Sequence, residues 1–158
     1  MKFTESVSYP MDLDALEAMS LDPRFVRSRF ARFIDDLEVS VEGRTVRASG
    51  PIVSSLIPQA AKAVVRGEVR VEFVETWSGE GAARTARTTL EAKGAPVRLR
   101  IESTFSGGSE TTRKAAGDLA VSIPFFGSRI EKEAVERAGL VLREETRLAA
   151  DYATAHGA

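Results

Sequence analysis

The sequence predicts an α+β fold: a curved antiparallel sheet of about six or seven strands wrapped around a long C-terminal helix, with two short helices after strand one. Three observations carry this. Segments between Lys2 and Ile123 alternate apolar and polar residues with period two and are separated by glycine or proline turns. Two short helical stripes follow the first of these segments. From Ser128 to about Tyr152 apolar residues recur at helical spacing without a break.

Lys2 to Tyr9 sets Phe3, Val7 and Tyr9 on one face and Lys2, Thr4, Ser6 and Ser8 on the other, the pattern of a half-buried strand. Pro10 ends it. Met11 to Ser20 reads as a short helix with Leu13, Leu16 and Met19 on one side. Asp22 then offers an N-cap, and Pro23 suits the first helical position. Val26, Phe30, Phe33 and Ile34 form the stripe of this second helix, opposite Arg24, Arg27, Ser28 and Arg32.

Leu37, Val39 and Val41 begin a hairpin that turns at Glu42-Gly43-Arg44 and returns through Val46, Ala48 and Ile52. Pro51 to Gly67 breaks the alternation. Its centre, Pro58 to Val65, reads as a short helix or flap with Ile57, Ala61, Val64 and Val65 available for burial. Val69, Val71, Phe73 and Trp77 mark the next strand, and Gly79-Glu80-Gly81 turns into a strand over Arg84 to Ala92. After Gly94-Ala95-Pro96, Val97, Leu99, Ile101 and Phe105 alternate again. The turn Ser106-Gly107-Gly108-Ser109 leads to a last strand over about Glu110 to Ile123, where Gly117 suggests a bulge or bend.

Ser128-Arg129-Ile130-Glu131 fits a capping box at the start of the long helix. Ile130, Ala134, Ala138, Val141, Leu148 and Tyr152 make its stripe, widened by Leu142 and Ala149. Phe125 and Phe126 read as anchors of this helix, and Ala153 to Ala158 as a frayed tail. No repeat or linker divides residues 1–158, so one domain is expected.

The order of elements, with FTESVSYPMDLDALEAMSLDPRF, VRVEFVETWSG and IPFFGSRIEKEAVERAGLVLREETRLAADY, resembles the helix-grip fold of the START-like superfamily (SRPBCC, polyketide-cyclase or Bet v 1-like). It is similar to an actinobacterial subfamily of unknown function, over essentially the whole chain. The resemblance implies a cavity between sheet and helix that holds lipids, sterols, polyketides or other apolar molecules. It implies no single activity, because one fold hosts many functions. VEGRTVRASG does not match the glycine-rich loop of the pollen-allergen branch.

Composition narrows the function further. Lys+Arg 22 against Asp+Glu 23 leaves a net charge of −1, which argues against nucleic acid as a partner. With no cysteine and one histidine, His156, near the chain end, thiol chemistry, a zinc site and a Ser-His-Asp triad are not expected. No cofactor and no metal are implied. The alternating start is not a secretory signal, and no window has the roughly 18 apolar residues of a membrane span. The expected location is the cytoplasm, with membrane contact at most transient. Arg24, Arg27 and Arg32 read as a solvated face, with docking of an anionic lipid headgroup or partner as the lesser reading.

Polar residues on inward faces are the candidate site. Glu5 shares parity with Phe3, Glu75 with Phe73 and Trp77, and Arg113 with Ala115; Glu145 interrupts the stripe between Val141 and Leu148. Buried carboxylates must pair, accept hydrogen bonds or take up a proton. The candidate ligand contacts are therefore Glu5, Phe73, Glu75, Trp77, Leu99, Ile101, Arg113, Val141 and Glu145. The competing reading makes the carboxylates a structural ion pair with Arg113 and Trp77 a core residue. The leading function is binding or carriage of a small apolar molecule. A cyclase or aromatase using pocket carboxylates is the alternative, and a protein-interaction module using the outer sheet or the 51–67 flap is the third.

Overall fold

The computed structural model describes residues 1–63, 65 and 67–156. The chain starts with strand β1 (Lys2–Tyr9) and two short helices, α1 (Leu13–Ser20) and α2 (Pro23–Phe30). The β2 (Glu38–Glu42) and β3 (Thr45–Pro51) hairpin comes next. A 3-10 turn (Ser54–Leu56) and α3 (Gln59–Lys62) interrupt the strands. Then come β4 (Arg70–Ser78), β5 (Thr85–Lys93), β6 (Val97–Gly107) and β7 (Thr111–Val121), and finally α4 (Gly127–His156). The strands make one seven-stranded antiparallel sheet in the order β1-β7-β6-β5-β4-β3-β2. It curves around α4, which packs against β1, β7 and α2.

Local chemistry explains the helix starts. The Asp12 carboxylate accepts the Ala15 amide at 2.8 Å, and Asp22 accepts the Arg24 amide at 2.9 Å. Helix α2 stops at Phe30, short of the predicted stripe. Ile34 instead forms an isolated bridge with Ile52, and Phe33 is exposed. Gly50 allows this crossing, since a Cβ there would meet Ile34 Cγ2 at 2.5 Å and the Asp35 carbonyl oxygen at 2.6 Å. Ala61, Ile57 and Val65 of the segment after β3 pack with Leu119, Val121 and Ile123. Val64, also expected to bury, lies outside the described residues.

The last strand departs from expectation. Pairing of β7 with β1 and with β6 keeps one register through Gly117, so no bulge forms there. Gly117 serves a different purpose: it leaves room for the Phe3 ring, which a Cβ would overlap.

The start of α4 also differs. Ser128 already lies within the helix, so it cannot act as its cap. The Glu131 carboxylate does not close a capping box but accepts the Val121 amide at 2.8 Å, joining the first turn to the end of β7. Gly127 donates its amide to the Ile123 carbonyl at 2.8 Å and sits so close to the Val121 carbonyl that no side chain fits. Phe125, with φ 69, turns outward and is fully exposed, and Phe126 is 42% exposed. Gly127 and Glu131, not the two phenylalanines, hold the helix. The far end runs beyond Tyr152 to His156, with Ala153 buried in the core; Gly157 and Ala158 lie outside the described residues.

A Gly127→Ala substitution is expected to destabilise the protein by about 1–3 kcal/mol, because the obstructing atom is backbone. Gly108→Ala, which meets open space, should stay within about 0.5 kcal/mol of the parent. Urea unfolding of both variants checks the pair.

Candidate functional site

Helix α4 meets the sheet over two different kinds of ground. Toward its C-terminal end Ala149 and Ala153 pack into a core with Tyr9, Leu16, Met19, Phe25 and Trp77. Toward its middle it spans a cavity of about 320 Å³. The floor comes from Phe73 on β4, Leu90 on β5, Leu99 and Ile101 on β6, and Leu119 on β7. The roof comes from Ala134, Ala138, Val141, Leu142 and Leu148. Val141 and Phe33 border the cavity while remaining 55% and 38% exposed, which marks the mouth between α4 and the turn after α2. An ion pair between Arg32 and Glu144, 3.3 Å, crosses from that turn to α4.

Charged side chains gather at the inner end. Glu75 is fully buried, taking the Trp77 indole N–H on Oε1 at 3.1 Å and the Thr88 hydroxyl on Oε2 at 2.8 Å. Arg113 Nη2 reaches the same Oε2 at 3.4 Å, while Arg113 Nε donates to the Ser103 hydroxyl at 2.8 Å. Glu145 accepts the Tyr9 hydroxyl on Oε1 at 3.0 Å, and its Oε2 lies 3.0 Å from Arg29 Nη2. Arg113 Nη1 stands 3.7 Å from Glu145 Oε1 and ties the two halves together. The Arg29 guanidinium also lies over the Phe73 ring, 5.0 Å from its centroid.

The electrostatics follow from burial and these partners. For Glu75, burial is the largest influence and acts upward. Arg113, Arg29, Thr88 and Trp77 together outweigh it, so the carboxyl is held below its usual range and stays ionised. Burial disfavours the Arg113 cation, but Glu75, Tyr9 and Glu145 reverse the balance and hold it charged. Burial, then the charge on Glu145, pushes the Tyr9 hydroxyl well above the ordinary range, so it remains a donor.

Of the residues singled out in the sequence, Phe73, Leu99, Ile101, Arg113, Val141 and Glu145 line the cavity. Glu75 lies beneath it, turned into the sheet by Trp77, Thr88 and Arg113. Trp77 stacks on Phe105 with centroids 4.7 Å apart, and so packs in the core away from the cavity. Glu5 is half-buried beyond the cavity and faces Gly139, where an added Cβ would touch its carboxylate at 3.5 Å.

Four polar members of the site were not singled out: Tyr9, Arg29, Thr88 and Ser103. Each had a signal. Arg29 falls three residues after Val26 and four after Phe25, the two buried residues of α2, so helical spacing places it inward. Thr88 shares parity with Ala86, and Ser103 with Phe105, on faces the alternation marks as internal. Tyr9 read as a face-filling aromatic, and its hydroxyl needed a partner as much as the carboxylates did.

Removing one partner of this network should be costly. Glu75→Gln leaves Arg113 charged and buried, and is expected to lower stability by about 3–5 kcal/mol. The parent should lose the Glu75 contribution in acid. Its folded pKa is depressed, so the stabilisation is complete above the unfolded value near 4.3 and fades as pH falls through the lower folded value. Denaturant midpoints across an acid series should therefore fall less steeply in Glu75→Gln; equal slopes would contradict the assignment.

Solved structures share this architecture. TTHA0849 from Thermus thermophilus has a TM-score of 0.67 at 17% identity, covering 96% of this chain and 99% of its own. The Zhui aromatase/cyclase from a Streptomyces species has a TM-score of 0.63 at 12% identity, covering 99% and 96%. A START superfamily protein from Mycobacterium smegmatis has a TM-score of 0.55 at 13% identity, covering 92% and 97%. At these identities the likeness establishes the START-like helix-grip fold. No curated protein sequence matches the chain. The family of proteins of unknown function DUF2505 matches over residues 4–152, and the chain belongs to that family.

Proposed function

We propose that the protein binds or carries a small, mostly apolar molecule in the cavity beneath α4. The observation that carries this reading is the position of the helix stripe. Ala134, Ala138, Val141, Leu142 and Leu148 are apolar and aligned, and all of them border open volume, although Leu142 and Leu148 also pack against the core. An apolar stripe facing a void forfeits both dispersion contacts and water exclusion, which a ligand would supply at roughly 25 cal/mol per Å² covered. At about 320 Å³ the space falls near the lower end for small-molecule sites, suiting a compact ligand.

The arrangement favours binding over proton transfer. Acid–base use of the carboxylates would need one that faces the cavity and exchanges a proton near neutrality. Glu75 is held ionised beneath the cavity floor by an arginine. Glu145 borders the cavity, but both of its oxygens are engaged, by Tyr9 and by Arg29. An interaction module acting through its outer surface would have no use for an open interior. Among the described residues no helix is long and apolar enough to cross a membrane. A carried molecule would reach the site through the mouth beside Phe33 and Val141.

Native mass spectrometry of freshly purified protein, with titration of the neutral dye Nile red, tests the proposal. Dye fluorescence should rise saturably with a single site. Ala138→Trp, which fills the roof of the cavity, should weaken binding tenfold or more, about 1.4 kcal/mol, while leaving the circular dichroism spectrum unchanged. A folded Ala138→Trp protein that binds dye as the parent does would refute cavity binding.

A further inference from the structure

On the reading that this cavity holds the ligand, we infer that the ligand is uncharged and presents a carbonyl-type oxygen to Arg113, in preference to a carboxylate or a bare hydrocarbon. The inner end of the cavity combines two properties that together select such a group: its formal charge is balanced, and its hydrogen-bond donors outnumber its acceptors.

The charges are Arg29 and Arg113 against Glu75 and Glu145. Each guanidinium carries five N–H donors and no acceptor. All four carboxylate oxygens are engaged: Glu75 Oε1 by Trp77, Glu75 Oε2 by Thr88 and Arg113, Glu145 Oε1 by Tyr9, and Glu145 Oε2 by Arg29. Arg29, at the partly exposed end, can turn its spare donors toward water. Arg113 cannot, because its side chain is 4% exposed.

Arg113 uses Nε on Ser103 and Nη2 on Glu75. Its Nη1 stays 3.7 Å from Glu145 Oε1, beyond direct hydrogen-bond reach, and the Tyr9 hydroxyl, which gives its own proton to Glu145, accepts a third guanidinium N–H on its oxygen, so two of the five donors are left over. Arg113 borders the cavity, so the cavity is where its unmet donor capacity opens.

Three ligand heads then differ sharply. A carbonyl oxygen accepts from Arg113 and adds no charge. A carboxylate also accepts, but must shed its water and bring a third negative charge beside Glu75 and Glu145. A hydrocarbon head covers the guanidinium and leaves its donors unmet, which costs about 1–3 kcal/mol for a buried group.

Three naphthalenes of nearly equal size separate these cases: acetylnaphthalene, naphthoate and ethylnaphthalene, each competing with Nile red on the full chain at neutral pH. Acetylnaphthalene is expected to bind about tenfold more tightly than either of the others. Naphthoate binding as tightly as the ketone would overturn the charge argument, and ethylnaphthalene doing so would overturn the acceptor argument. Either result would leave the cavity itself intact as a binding site. Failure of all three and of the dye would instead remove the binding reading on which this inference rests. Arg113→Lys keeps the charge but loses the planar donor array. It should bring the ketone to within about twofold of ethylnaphthalene while Nile red still binds; an unchanged ketone preference in the folded variant would assign the acceptor's partner elsewhere.

Discussion

The structure depends on keeping ions in its interior satisfied. Glu75 and Glu145 come from distant parts of the chain, on β4 and α4, and both would be untenable alone in an apolar setting. Arg113 on β7 stands between them, and Arg29 on α2 closes the other side of Glu145. The four residues therefore connect the sheet to the two helices that close it. Hydrophobic packing holds these elements together generally, but the ion network is specific about register. Sliding α4 by one residue would turn Glu145 by about 100° off its partners and bring Glu144 or Thr146 into its place. The same group of charges forms the polar end of an otherwise apolar cavity.

Much of the fold was legible in the sequence because its signals are local. Period-two alternation marked the strands, and Asp22-Pro23 marked a helix start that the structure forms as expected. Expectations failed where distant contacts decide the outcome. Whether Gly117 bulges depends on Phe3, more than a hundred residues away, and whether Glu131 caps its own helix depends on the Val121 amide. The second helix ended early because Ile34 found a strand partner in Ile52, which no local pattern announces.

The site was legible by parity and incomplete for a physical reason. Parity tells which face a side chain takes, and it placed Phe73, Leu99, Ile101 and Arg113 correctly on the concave side. It does not tell whether that side meets core or cavity at a given point. Trp77 and Phe73 share a face of β4, yet one stacks on Phe105 and the other floors the cavity. That distinction depends on where α4 lies over the sheet, and thus on Gly127 and Glu131 at its start. Arg29 escaped notice because arginines on a short helix usually face water, and its neighbours Arg24, Arg27 and Arg32 do so.

Helix α4 is fastened near its start, at Glu145 and near its end, and the cavity lies under the stretch between the first two. Glu131 binds the end of β7, Glu145 joins Tyr9 and Arg29, Tyr152 donates to Asp22 at 2.6 Å, and Ala149 and Ala153 are embedded in the core. Mechanically the stretch from Glu131 to Glu145 is a beam resting on two piers, with open space beneath much of it. Side chains along that span bear little of the folding free energy, so exchanging Ala134, Ala138 or Val141 for larger or smaller residues would alter the capacity of the space without loosening the piers. The architecture thereby separates the residues that keep the protein folded from those that set the size and shape of the space inside, one helical turn at a time.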